Sequence, residues 1–75
     1  MTKNEQTEMI RAGYYVTMGR PDMAARTLSI IHRSARSAKT QVAVLARVAE
    51  LGLADRVTMY NGCLAHVDDV PAVRS

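Results

Sequence analysis

The chain has no phenylalanine, no tryptophan, one cysteine and two prolines among its 75 residues. Without the large apolar aromatics, a core has to come from aliphatic side chains, Met and Tyr. The five methionines (Met1, Met9, Met18, Met23 and Met59) fill gaps adaptably but specify packing weakly. A lone Cys63 excludes a disulfide within the chain and fits a reducing, cytoplasmic compartment. No apolar run approaches the roughly 18 residues a membrane span needs, and no signal-peptide pattern opens the chain, so no membrane partner is expected. Glycine-rich phosphate loops, nucleophile motifs and four-ligand zinc spacing are missing too. These absences predict no catalytic residue, no metal, no cofactor and no small-molecule substrate. Cys63 and His66 do supply a thiol and an imidazole, but three residues apart on a strand they point to opposite faces. They are expected to be ordinary hairpin residues, and His32, beside Ile30 and Ile31, a helix-edge residue.

Acidic residues are also missing from one particular place. Between Met23 and Ala49 the chain carries Arg26, Arg33, Arg36, Lys39 and Arg47 and no Asp or Glu. The net charge of +3 is therefore concentrated in a basic middle flanked by mixed ends. Such a surface suits phosphates or an acidic partner; the plainer account is a solvated helix face with helix-terminal cations.

What is present reads as a single helical domain over 1–67 with a flexible tail over 68–75. A chain this short buries only roughly 60% of the surface it exposes when unfolded. Self-association, giving a homodimer, is the expected source of extra stability. Thr2-Lys3-Asn4-Glu5 has capping-box spacing, and Ile10, Tyr14 and Met18 follow at i, i+4 and i+8, with Met9 and Ala12 alongside. This predicts a first helix to about Met18, with Gly19 in the left-handed cap position and Gly13 marking a close backbone approach. Arg20-Pro21-Asp22 starts a second helix to about Arg36. Its expected buried stripe is Ala24, Leu28, Ile31 and Ala35, and its expected basic polar stripe is Arg26, Ser29, Arg33 and Arg36. Ser34, Ser37 and Thr40 supply N-caps for a break near Ser37, a continuous bent helix being the alternative. A third helix over roughly Ala38–Leu51 is expected to turn Val42, Leu45, Val48 and Ala49 inward and Ala43 and Val44 outward. Gly52 caps it, and Leu53 folds back on Val48.

The periodicity then changes. Arg56-Val57-Thr58-Met59-Tyr60 and Cys63-Leu64-Ala65-His66-Val67 flank Asn61-Gly62, the strongest short hairpin signal, because a type I′ turn needs positive φ twice. A two-residue turn pairs Met59 with Leu64, Val57 with His66, Tyr60 with Cys63 and Thr58 with Ala65. A short fourth helix around Asp55–Tyr60 is the alternative. The fold class is thus mainly α, a three-helix domain with a C-terminal β-hairpin; the other option is an all-α helical hairpin or bundle dimer.

The segment Leu45-Ala46-Arg47-Val48-Ala49-Glu50-Leu51-Gly52-Leu53-Ala54-Asp55-Arg56, with the hairpin to His66, resembles the junction of recognition helix and wing in winged helix-turn-helix regulators of transcription. That resemblance implies a third helix lying in the DNA major groove, its N-terminal end nearest the bases. Ser37, Lys39, Thr40 and Gln41 would sit there, Gln41 reading adenine and the others holding phosphates. Arg33 and Arg36 would touch the backbone, with Arg47 in the same basic set. Asn61 at the wing tip and Arg56 would reach a flanking phosphate or the minor groove. A second stretch, Gly13-Tyr14-Tyr15 with Met18-Gly19, Ala24 and Leu28, resembles one tetratricopeptide-type helical hairpin, which implies close antiparallel packing of the first two helices.

The rival expectation is a small dimeric helical module of the kind phages and plasmids carry as inhibitors or adaptors of a host protein. Its anchors would be Tyr14, Tyr15, Met23 and Arg26.

Overall fold

The computed structural model describes residues 1–71. Three helices, α1 (Lys3–Thr17), α2 (Pro21–Ser34) and α3 (Ala38–Glu50), lead through a 3₁₀ turn (Ala54–Arg56) into a hairpin of β1 (Val57–Tyr60) and β2 (Cys63–His66). A second 3₁₀ turn covers Val67–Asp69. The Cα trace measures 38 × 29 × 16 Å, so in its thin direction it is about two packed elements deep. Helix α2 lies at the centre, packing against α1, α3 and β2.

The helix boundaries follow local chemistry. The Thr2 hydroxyl accepts from the Glu5 N–H at 3.2 Å, and the Glu5 carboxylate accepts from the Thr2 N–H at 2.8 Å, satisfying two otherwise orphaned donors. Both α1 and α3 close in Schellman turns. Arg20 N–H bonds the Tyr15 carbonyl and Gly19 N–H that of Val16, while Leu53 and Gly52 repeat the pattern on Val48 and Ala49. Gly19 and Gly52 take the positive φ this ending requires. Pro21 opens α2, and Ser37 caps α3 by accepting from the Thr40 N–H. The connection between α2 and α3 is three residues, 35–37, so α2 stops two residues short of the expected Arg36.

The hairpin has the expected register throughout, Val57 opposite His66 to Tyr60 opposite Cys63. Asn61 and Gly62 have φ of 54° and 80°, as a type I′ turn demands. The alternative fourth helix shrinks to the single turn Ala54–Arg56.

One core joins Ala12, Ala24, Leu28, Ile31, Val44, Val48, Leu53 and Leu64. Three expectations about facing are corrected by it. On α1 the buried residue is Ala12, with Met9, Tyr15 and Val16 packed against the core, while Ile10, Tyr14 and Met18 are 58%, 64% and 60% exposed. On α3 Val44 is fully buried, whereas Val42 and Leu45 are 65% and 41% exposed and Ala49 is exposed. In both helices apolar residues occupy two faces, so the spacing alone does not say which face goes inward. On α2 Ser29 leaves the basic stripe; it is buried, its hydroxyl bonded to the Ala25 carbonyl at 2.8 Å. Position 13 receives the Arg47 side chain rather than another backbone: a Cβ there would lie 2.6 Å from Arg47 Nη2. The chain also stays packed beyond 67, since Val70 is buried; of the expected tail, residues 72–75 lie outside the described part.

Candidate nucleic-acid interface

Both histidines are buried and tie α2 to the hairpin. His32 Nδ1 accepts from the Leu64 N–H at 3.1 Å, which leaves the ring hydrogen on Nε2. Leu64 sits opposite Met59 in a non-hydrogen-bonded pair of the two-residue hairpin, so its N–H points out of the ribbon and needs such a partner. His66 Nδ1 accepts from the Asp68 N–H at 3.1 Å, and its Nε2 lies 2.7 Å from Asp22 Oδ1. Arg56 Nη1 donates to the same oxygen at 2.9 Å. The hydrogen bond from His66, then that from Arg56, holds the Asp22 carboxyl below the usual carboxylate range. The expected helix-edge position of His32 is thus corrected. Its sequence position carried the signal: it stands four residues after Leu28 and eight after Ala24, on the buried stripe.

These contacts sort the candidate basic residues of the interface into two groups. Arg26 pairs with Asp69 at 3.3 Å, Arg56 with Asp22 at 2.9 Å, and Arg47 reaches Glu50 at 3.9 Å while lying over Gly13. Arg33, Arg36 and Lys39 are exposed and form no ion pair or hydrogen bond among the described residues. All three sit at the α2–α3 junction: Arg33 in the last turn of α2, Arg36 in the connection and Lys39 in the first turn of α3.

The remaining predicted contacts divide. Thr40 is buried, and its hydroxyl accepts from Ser37 Oγ at 3.0 Å, so it is withdrawn from the surface. Ser37 is exposed but uses its Oγ both toward that hydroxyl and toward the Thr40 N–H. Gln41 is half-buried and donates to the His32 carbonyl at 3.3 Å. Asn61 sits at the hairpin tip and shares a groove of about 340 Å³ with Arg33. Arg36 lines a different groove, of about 550 Å³, between the start of α1 and the α2–α3 connection.

Of the alternative anchors, Tyr14 is exposed, Tyr15 is half-buried against the core, Met23 lies beside Arg20 and Arg26 is paired with Asp69. Among the described residues no group of three His, Cys, Asp or Glu could hold a metal, and no helix is long and apolar enough to cross a membrane.

Compared with protein-family models, curated proteins and solved structures, the chain matches none of them.

Proposed function

We propose that this chain is a small DNA-binding protein that grips the phosphate backbone of a duplex through its α2–α3 junction, in a helix-turn-helix arrangement with the hairpin as wing. The observation that carries this reading is the grouping of the unpaired cations of the basic middle. Arg33, Arg36 and Lys39 lie within seven residues of chain across a three-residue connection, while the arginines elsewhere in the basic middle have acidic neighbours. Three to four residues is the connection length of the helix-turn-helix. Arg36 and Lys39 also flank the positive end of α3, where phosphate is favoured.

Base reading through α3 is limited on this account. Thr40 and Gln41 are engaged inside the fold, and the outer face of α3 carries Val42 and Leu45. Phosphate contacts position a protein without reading sequence, so binding is dominated by charge and weakly selective.

The test is fluorescence anisotropy with a mixed-sequence duplex across a salt series. The wild type is compared with an Arg33→Ala/Arg36→Ala/Lys39→Ala variant. Affinity is expected to fall log-linearly with salt, and the slope to be shallower by roughly 2–3 units in the variant. Absence of wild-type binding at low salt would overturn the reading.

A separate observation favours a second reading, a dimeric protein-binding module. Ile10, Tyr14 and Met18 form an outward apolar stripe along α1 that nothing among the described residues covers.

A further inference from the structure

The groove between α2 and the hairpin has walls of unlike chemistry. Arg33 on α2 supplies an unpaired guanidinium. Tyr60 and Asn61, at the end of β1 and in the turn, supply a 40% exposed ring and an amide whose side chain has no hydrogen-bond partner among the described residues. The floor is Leu64 and Ala65, with the half-buried Cys63 beside them. Asp69 also lines the groove, but its carboxylate is held by Arg26 rather than by Arg33. The type I′ turn fixes the Asn61 backbone at the rim of the groove, and its exposed side chain lines it.

A cation, an aromatic ring, an unused amide and an apolar floor together answer the parts of one nucleotide. The phosphate pairs with the guanidinium, the base face lies against the ring, and the base edge finds both a donor and an acceptor on the amide. The groove's roughly 340 Å³ lies at the small end of the range for ligand sites. Bases inside a duplex are stacked and could not enter; a base on a single strand could. We infer that this groove receives an unstacked nucleotide of single-stranded DNA, with its phosphate on Arg33, its base against Tyr60 and its base edge on Asn61. The inference rests on the nucleic-acid reading and deepens it: where a strand frays or is displaced, Arg33 takes that strand's phosphate in the groove while Arg36 and Lys39 stay on the duplex.

The test compares a short mixed-sequence single strand with its duplex by anisotropy, using wild type, Tyr60→Ala and Tyr60→Phe, each checked for folding by circular dichroism. Loss of one base-stacking contact is expected to weaken single-strand binding about tenfold in Tyr60→Ala, while Tyr60→Phe and duplex binding stay near wild type. The only thiol provides a second readout: saturating single strand should slow modification of Cys63 by a disulfide reagent, and polyglutamate should not. Tyr60→Ala binding the single strand as tightly as wild type, unprotected Cys63 at saturation, or equal protection by polyglutamate would each overturn the inference. If duplex binding persists in those cases, the junction reading stands and only the groove assignment falls. If neither form binds, both fall.

Discussion

Asp22 holds three distant parts of the chain at one atom: it stands in the first turn of α2, and its Oδ1 meets both His66 at the end of β2 and Arg56 before β1. The folded state therefore favours the ionised carboxylate and keeps its pKa below the usual range, chiefly through the His66 hydrogen bond and then Arg56. For a group whose folded pKa is lowered, the stabilisation is complete above the unfolded value, about 3.9 for aspartate, and disappears as pH falls through the folded one. Asp22→Asn retains an acceptor oxygen but removes the charge. Urea midpoints measured from neutral pH down to about pH 2 should fall less steeply in the variant than in the wild type. An acid limb of unchanged steepness would show that Asp22 contributes nothing to it. None of this triad was legible beforehand, because it closes between residues more than thirty positions apart and no short motif marks it. Half of the His32 contact was legible, in its place on the α2 stripe; its acceptor role depends on where β2 docks.

At the level of elements, local chemistry was a better guide than periodicity. The capping box, the Gly19 and Gly52 endings, the Pro21 start and the Asn61-Gly62 turn all fell where sequence placed them, since each is decided within a few residues. The hairpin register followed directly, as a two-residue turn leaves no other pairing. Facing was harder to read. On α3, Val44, Val48, Leu45 and Val42 spread over an arc of about 160°, wider than the buried stripe, and Val44 goes inward because that rotation also buries Thr40 against Ser37 and brings Gln41 to the His32 carbonyl. The N-terminus of α3 then yields a prediction separating structure from binding. Ser37 Oγ is already committed to Thr40, as acceptor from its N–H and as donor to its hydroxyl. Ser37→Ala should cost about 1 kcal/mol of stability by thermal or urea unfolding, as lost N-caps do, and leave the salt slope of DNA binding unchanged. A changed slope with unchanged stability would make Ser37 a phosphate contact instead of a cap.

For the whole molecule, the question is what covers α1. A domain of this size draws little stability from its own core, and small natural domains commonly add a partner subunit. The outward stripe of α1 suits a second copy of the same helix in its arrangement. With a two-fold axis beside Tyr14, Ile10 of one copy lies opposite Met18 of the other, and the two Tyr14 rings meet at the centre. Gln6, Thr7 and Thr17 border the stripe without charge, and the neighbouring Arg11 is paired to Glu8 at 2.9 Å, so like charges do not face each other across the axis. With the axis at Tyr14 the two helices overlap from Ile10 to Met18, about two and a half turns of contact. The expected result is a dimer in sedimentation velocity for the wild type and a monomer for Tyr14→Glu, with the same helical circular dichroism in both. A wild type that stays monomeric at high concentration would leave the stripe without a second copy and remove the dimeric part of the protein-binding account. If the dimer forms, it also doubles the set of unpaired cations, because Arg33, Arg36 and Lys39 lie at the α2–α3 junction and not on α1. Duplex binding by Tyr14→Glu should then show a salt slope about half that of the wild type, since the slope counts the phosphates one assembly neutralises. Equal slopes in monomer and dimer would mean that only one junction touches DNA at a time.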